Sequence, residues 1–277
     1  MRPDLVSYLR CPVCGDGLTL TARTASCPRR HSYDLARQGY LNLLPSASTG
    51  IEGDSAAMIE ARGAFLAGGF YAAIRDALIA DTPVTADGEL VVEVGAGTAY
   101  YLAGLVGAGV GRVGLALDVS RYAARRAAKV DPRIGSVICD AWQELPLRDG
   151  VAQVILNVFA PRNAAEMRRV LAPDGTLLVV TPNQAHLAEL VGVLGMVRVD
   201  EAKERRLHES LGGSFEQSAG RVVELVLRLD HPSVERLVAM TPSARHLDRA
   251  ELAERIAVLA DPTEVTLSVA VSVWRPA

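Results

Sequence analysis

Three cysteines and one histidine near the N-terminus have the spacing of a metal site. Cys11 and Cys14 are separated by two residues, as on a single turn. Cys27 and His31 follow after a segment long enough for a short hairpin. Three thiolates and one imidazole suit Zn²⁺, which binds such ligands at about 2.0–2.3 Å in a tetrahedron. Because four protein ligands leave no open position, the spacing predicts a structural zinc site that helps a small module to fold.

Basic residues are concentrated around this cluster. The first 40 residues contain six arginines and three aspartates, whereas the whole chain has 29 basic and 32 acidic residues and a net charge of −3. That balance argues against a large basic nucleic-acid binder but allows a local basic patch. Arg29 and Arg30 lie between the last two metal ligands, so we expect them to be held on the surface and to contact RNA. The alternative is that both arginines lie on a solvent-exposed surface and bind no RNA.

A glycine turn follows the apolar run at residues 90–94. Gly95 and Gly97 allow the backbone to approach a ligand, and the helix after them offers free N–H groups. A dinucleotide site of the G-x-G-x-x-G type would need a third glycine where Tyr100 stands, which disfavours NAD and FAD. With Glu93 before it, the turn resembles the first motif of class I S-adenosylmethionine methyltransferases, and it predicts that cofactor.

Polar residues also end the next three predicted strands. The resemblance of the glycine turn to class I methyltransferases implies further positions. In that class an acid after the second strand binds the ribose hydroxyls, and Asp118 has that position. An acid after the third strand reaches the adenine amine, and Asp140, followed by Ala141, matches it. Asn157 ends the fourth strand and is expected to face the methyl group. It is therefore our candidate both for cofactor contact and for catalysis, although an amide cannot act as a base.

These residues require an α/β framework. Alternating strand and helix patterns predict a parallel, doubly wound sheet. The strands are expected over 90–94, 113–118, 134–139, 151–158, 176–181, 222–229 and 265–274. We divide the chain into a zinc-binding, RNA-recognition module (1–45), a linker and helices (46–86) and a methyltransferase domain (87–277). Within the middle part, residues 46–50 have the composition of a linker.

A zinc module directly before this fold resembles the RlmA family of 23S rRNA guanine-N1 methyltransferases. The likeness covers nearly the whole chain. The segments that carry it are 11–14, 27–31, 39–45, 53–56, 61–66, 100–101, 114–120, 160–161, 181–182, 186–187 and 240–242. The arginine-rich composition is similar to that of the tylosin-resistance members of this family.

This resemblance implies a substrate, a partner and further site residues. The substrate would be N1 of a guanine in hairpin 35 of 23S rRNA, and the protein would be a homodimer whose zinc modules flank an RNA cleft. Tyr71, Gly97, Thr98 and His186 occupy matching positions and should contact S-adenosylmethionine.

Methylation at guanine N1 has its own chemical demands. N1 carries a proton at neutral pH, so the reaction needs a base or stabilisation of the anion through O6. Glu144 and His186 are the candidate bases. N1 lies on the Watson–Crick edge, so the guanine must be unpaired or extruded. Phe159 is our candidate RNA contact, with Trp142 and Tyr101 as further stacking surfaces, each of which could instead be a core aromatic.

Two other function classes remain open from the sequence. One is a small-molecule methyltransferase with an incidental zinc module, and the other is an inactive zinc-dependent RNA-binding protein. The three clustered cysteines could also be ordinary core residues, as we expect for Cys139, which ends a strand. No apolar run reaches the roughly 18–20 residues of a membrane span, and the N-terminus lacks a signal-peptide pattern, so we expect a cytoplasmic protein with no membrane partner.

Overall fold

The computed structural model describes residues 1–45, 52–83, 88–196, 200 and 203–277. The linker predicted over 46–50 and the domain boundary predicted between residues 86 and 87 lie outside these ranges.

Eleven strands and ten α-helices are found in the described residues. The strands are β1 Thr19–Thr21, β2 Thr24–Ser26, β3 Ser32–Asp34, β4 Leu41–Asn42, β5 Leu90–Val94, β6 Val113–Asp118, β7 Ile134–Ile138, β8 Ala152–Val158, β9 Leu171–Pro182, β10 Phe215–Leu229 and β11 Thr263–Pro276. The helices are α1 Pro3–Val6, α2 Ala56–Ala67, α3 Ala72–Asp81, α4 Tyr100–Ala108, α5 Arg121–Ala127, α6 Ala164–Val170, α7 Ala188–Leu194, α8 Lys203–Leu211, α9 His231–Ala239 and α10 Arg249–Ala257.

Eight of these strands form one sheet, in the order β10-β11-β9-β8-β5-β6-β7-β4. Strands β4 to β9 pair in parallel, whereas β11 is antiparallel to β9 and β10 is antiparallel to β11. The predicted α/β fold with a parallel, doubly wound sheet is therefore confirmed. From β5 the chain passes outward to β6 and β7, and then it crosses back to β8 on the other side of β5, so the strand order reverses between β5 and β8. In such sheets, ligands bind beyond the carboxyl ends of the strands at this switch point.

Side-chain caps fix where the helices behind these strands begin. Ser120 Oγ accepts hydrogen bonds from the N–H groups of Tyr122 and Ala123 at the start of α5. Asn163 Oδ1 accepts one from the Glu166 N–H at the start of α6. Each cap satisfies N–H groups that the first helical turn leaves without partners. The loops at the carboxyl edge of the sheet are thus held at both ends.

The N-terminal module, residues 1–45, packs directly on the sheet. β1, β2 and β3 form a small antiparallel sheet, while β4 joins the edge of the main sheet, with Leu41 opposite Val137. An isolated bridge also pairs Leu9 with Leu147. Apolar side chains of the module belong to the same buried cluster as one face of the main sheet. The module's position relative to the sheet is therefore set by shared core and backbone pairing.

The helices cover the two faces of the sheet unequally. α2, α3, α4, α5, α7, α9 and α10 contribute to the core on one face, whereas α1, α6 and α8 contribute to the core on the other. Within the described ranges, no single helix is long and apolar enough to cross a membrane. One bent pair, α2 with α3, passes that test together by length and composition, with a bend of 77°.

Candidate active site and metal centre

The four predicted zinc ligands converge. Their ligand atoms all lie within 4.8 Å of one another. The His31 Nδ1 atom is 3.5 Å from Cys11 Sγ and 3.4 Å from Cys27 Sγ, and the Sγ atoms of Cys14 and Cys27 are 3.6 Å apart. A tetrahedron with Zn–S bonds of about 2.3 Å has sulfur–sulfur edges of about 3.8 Å. The donor set and spacing therefore fit a four-ligand structural zinc site.

Tyr33 supports this centre, although the spacing of the ligands did not identify it. Its hydroxyl lies 3.1 Å from Cys11 Sγ. A hydrogen bond to a ligating thiolate orients the ligand and tunes its charge. Of the two arginines predicted to contact RNA, Arg29 pairs with Asp16 at 3.0 Å, and Arg30 is exposed with a φ of +68°. Both arginines are exposed on the turn between Cys27 and His31.

A cavity of about 770 Å³ opens at the carboxyl edge of the main sheet. Its size is within the range of small-molecule and cofactor sites. All the predicted cofactor residues except Asn157 line it, as do Phe159 and Trp142. The lining members of the predicted set are Tyr71, Glu93, Gly95, Gly97, Thr98, Asp118, Asp140, Ala141 and His186. Residues predicted from separate sequence motifs thus line one cavity.

The glycine turn forms the floor of the cavity. Gly95 and Gly97 have φ values of +72° and +52°, a region that favours glycine. A Cβ on Gly95 would lie 2.5 Å from the Cβ of Ala160, and a Cβ on Gly97 would lie 2.9 Å from Arg62 Nη1. Neither glycine leaves room for a side chain. The turn is therefore packed closely against Ala160 and Arg62, and it lines the cavity with backbone.

Two acids stand at the ends of adjacent strands beside this turn. Asp118 accepts hydrogen bonds from the N–H groups of Gly97 and Ser120, both at 2.8 Å. Glu93 is buried and accepts one from the Leu102 N–H at 3.1 Å, at the start of α4. Burial raises the pKa of both carboxyls, that of Glu93 to about 8. Asp118 thus lines the cavity while bonded to the glycine turn, and Glu93 connects β5 to the first turn of α4.

The raised pKa of Glu93 predicts a pH-dependent stability. In the folded protein Glu93 keeps its proton up to about pH 8, whereas its ordinary pKa is 4.5. The folded state therefore binds more protons than the unfolded state between these values, and stability falls as the pH rises from about 5 to 8. We expect Glu93→Gln to remove part of this fall. Urea unfolding of both proteins at pH 5 and pH 8 measures it, and an unchanged difference between the two pH values would refute the assignment.

A short segment covers the cofactor side of the cavity. Ser120 Oγ donates a hydrogen bond to the Asp54 carbonyl at 2.6 Å, and the Asp54 carboxylate pairs with Arg62 at 2.5 Å. Arg62 also donates to the Met240 carbonyl at 2.8 Å. Arg245 donates to the carbonyl of Glu52 at 2.8 Å. Residues 52–54 are therefore tied to both the sheet edge and the segment after α9, and they form part of the cavity wall.

An aromatic cluster forms the opposite wall. The Tyr71 hydroxyl lies 3.4 Å from His186 Nε2, and His186 Nδ1 accepts a hydrogen bond from the Ser268 N–H at 3.3 Å. Phe159 stacks on His186 with ring centroids 6.0 Å apart and is 42% exposed. Because Nδ1 accepts a bond, the neutral ring carries its proton on Nε2. His186 is thus arranged as a wall residue that holds Tyr71 in place.

Asn157 is placed differently from the other predicted site residues. It is fully buried behind the cavity, and its Nδ2 donates to the Pro161 carbonyl at 2.7 Å. The structure therefore shows it holding the loop at residues 159–162. Glu144, which with His186 was a candidate base, is an exposed partner of Arg10 and lies outside the cavity. Cys139 is buried, and burial raises the pKa of its thiol, as expected for an inert core cysteine.

Several cavity residues escaped the sequence reasoning. Arg62, Asp54 and Arg245 come from segments far apart in the chain, and only folding brings them together. Arg162 follows the fourth-strand motif directly, so its position next to Pro161 was the one available signal.

Comparison with known proteins identifies relatives of this chain. The RlmA N-terminal zinc-ribbon model matches residues 9–48. A Streptomyces fradiae protein named 23S rRNA (guanine(748)-N(1))-methyltransferase is 49% identical, over 100% of this chain and 99% of its own length. A Micromonospora griseorubida protein, provisionally named a 23S rRNA (guanine-N(1)-)-methyltransferase, is 47% identical over the full length of both chains. A chain from the complex between the Haloferax volcanii Trm112 methyltransferase activator and a methyltransferase has a TM-score of 0.53, with 18% identity, and covers 82% of this chain and 99% of that chain.

The sheet order and the glycine turn define an S-adenosylmethionine-dependent methyltransferase with a zinc-binding module. The archaeal structure, at 18% identity, supports the fold alone. The full-length relatives identify the family as well as the fold. The chain belongs to the RlmA family of 23S rRNA (guanine-N1)-methyltransferases.

Proposed function

We propose that this protein transfers a methyl group from S-adenosylmethionine to N1 of a guanine in 23S rRNA. The observation that carries the proposal is the cavity at the sheet edge, which unites the glycine turn, Asp118 and Asp140 beside a zinc-clamped module. The names of the full-length relatives supply the substrate class. When bound, the cofactor supplies a methyl group on a positively charged sulfur.

The chain's own residues would bind, orient and shield the reactants. We assign Asp118 to the ribose hydroxyls and Asp140 to the adenine end, because their carboxylates line the cavity after neighbouring strands. Residues 52–54 and Arg62 would exclude water from the reacting atoms. Phe159 and Trp142 would stack against the guanine. Holding the reactants in line is the main task in a displacement of this kind.

The RNA would approach along a groove between the N-terminal module and the sheet. This groove, of about 880 Å³, is lined by Arg10, Val13 and Arg29, and Asp140 lines both the groove and the cavity. Val13 is 66% exposed and Trp142, at the cavity mouth, is 59% exposed. Exposed apolar and aromatic side chains beside arginines are typical of surfaces that bind unpaired nucleotides.

The resemblance to the family supports finer proposals. We propose a target guanine in the hairpin 35 region, a homodimer whose two modules flank the RNA, and a role in resistance to tylosin-type macrolides. An RNA substrate in the ribosome would place the enzyme in the cytoplasm.

A labelled-methyl assay separates the proposed function from its alternatives. We expect methyl-labelled S-adenosylmethionine to label deproteinised 23S rRNA at about one methyl group per molecule. Asp118→Ala should lose this label, since the cofactor would lose its ribose contact. Label confined to small metabolites would indicate a small-molecule enzyme. Tight RNA binding without any label would indicate an inactive RNA-binding protein, and either result would overturn the proposal.

A further inference from the structure

One guanidinium in the cavity wall has no partner within the described residues. Arg162 lines the cavity and is half-buried, yet it makes no hydrogen bond or ion pair there. The other arginines lining the cavity are paired: Arg62 with Asp54, Arg245 with Glu52, and Arg206 with Asp200. Burial lowers the pKa of Arg162. A half-buried cation without an acceptor is less well solvated than one in water, so a ligand that brings an acceptor would complete this site.

The backbone around Arg162 is held on both sides. Asn157 Nδ2 fixes the Pro161 carbonyl, and the Cβ of Ala160 lies against Gly95. On the other side, the Asn163 side chain caps α6 and donates to the Trp142 carbonyl at 3.1 Å. The loop therefore presents Arg162 from a rigid base, between Ala160, which contacts the glycine turn, and Asn163, which is bonded to the Trp142 backbone. Such support is what a preorganised donor needs.

We propose that Arg162 binds the O6 and N7 atoms of the target guanine with its two-pronged guanidinium. This inference rests on the proposed function and names the group that recognises its substrate. Arginine is the side chain that pairs most often with this edge of guanine. Adenine presents an amino group in place of O6, so the same contact would reject adenine. Because O6 and N7 lie on the Hoogsteen side, N1 stays free to face the methyl donor.

The contact would also stabilise the reacting base. N1 must release its proton, which passes to water, and the electron pair left on N1 spreads onto O6. That pair then forms the N–CH₃ bond as the carbon–sulfur bond breaks. Arg162 would donate to O6 as negative charge develops there. This hydrogen bond would be stronger than the one that Arg162 makes to O6 of neutral guanine. Neither Glu144 nor His186 is placed as a free base, so this donor would carry much of the activation.

Combining an Arg162 variant with an altered guanine tests the contact. The probe is a synthetic 23S rRNA fragment that carries either guanine or 7-deazaguanine at the position that the enzyme methylates. 7-Deazaguanine lacks the N7 acceptor. We expect 7-deazaguanine to lower kcat/KM of the unaltered enzyme by about 5- to 100-fold. Arg162→Gln should lower kcat on guanine by about 100-fold, with partial recovery at higher pH. For this variant, 7-deazaguanine should add less than about a twofold effect.

Two further variants and the unaltered enzyme separate the outcomes. Arg162→Lys keeps the positive charge but lacks the planar guanidinium with its two parallel donors, and it should show an intermediate kcat. Arg168→Gln, on α6 and outside the cavity, should stay within about twofold of the unaltered enzyme. If the effects of Arg162→Gln and 7-deazaguanine multiply independently, Arg162 does not touch N7 and the inference is wrong. If the unaltered enzyme leaves the guanine fragment unmethylated, the proposed function fails instead.

Discussion

Cys27→Ala is expected to lower zinc affinity by about 100- to 1,000-fold. Structural zinc binding contributes about 10–16 kcal/mol over four ligands, or roughly 2.5–4 kcal/mol for each. Cys27 Sγ lies 3.6 Å from Cys14 Sγ and 3.4 Å from His31 Nδ1, so its loss opens the tetrahedron. We expect methylation of 23S rRNA to be lost as well, because the metal orders the turn that carries Arg29. Competition with a chromophoric chelator measures the affinity.

Cys139 provides the matched control. It is a buried cysteine on the same side of the sheet but outside the metal cluster. Cys139→Ala should retain zinc with unchanged affinity and lose packing, at about 1–2 kcal/mol of unfolding free energy. Because Cys139 also lines the cavity, the two variants are compared on zinc affinity alone. The account of the metal centre would be contradicted if both variants kept one tightly bound zinc ion per chain.

Gly95→Ala is expected to lower affinity for S-adenosylmethionine by at least about 30-fold. The φ of +72° costs about 1–2 kcal/mol for alanine. The added Cβ would also lie 2.5 Å from the Cβ of Ala160, and relief requires movement of the turn or of the 159–162 loop. Both line the cavity, so the change falls on cofactor binding. Isothermal titration with S-adenosylmethionine provides the measurement.

Gly150→Ala separates the clash from the backbone strain. Gly150 has a φ of +63°, but a Cβ there would meet nothing within 4 Å, and the residue lies outside the cavity. It should lose about 1–2 kcal/mol of unfolding free energy and bind the cofactor normally. Equal cofactor affinities for the two alanine variants would show that the floor of the cavity tolerates a side chain.

The sequence predicted the chemistry-bearing positions better than their surroundings. Motifs at the ends of parallel strands must meet at one sheet edge, so Gly95, Asp118 and Asp140 could be placed together without a structure. The zinc ligands could be grouped because a two-residue spacing and a hairpin leave few alternatives. In both cases local spacing and topology determine the geometry.

Features that depend on long-range packing could not be predicted. β4 has two residues, too short for a hydrophobic pattern, and yet it extends the main sheet. α8 was missed, and β9 and β10 begin earlier than expected, at Leu171 and Phe215. Asn157 ends its strand as predicted, but it is buried behind the loop that it holds. That Arg162 has no partner among the described residues is a property of three-dimensional contacts alone.

The most direct test of the central claim is to identify the methylated atom in the RNA. Treated 23S rRNA should be digested to nucleosides and analysed by mass spectrometry, with reverse transcription of the intact RNA in parallel. We predict 1-methylguanosine and one new reverse-transcription stop, because a methyl group on N1 blocks Watson–Crick pairing. RNA without 1-methylguanosine, or with its methyl on an atom that reverse transcriptase reads through, would contradict the assignment of this cavity to guanine N1.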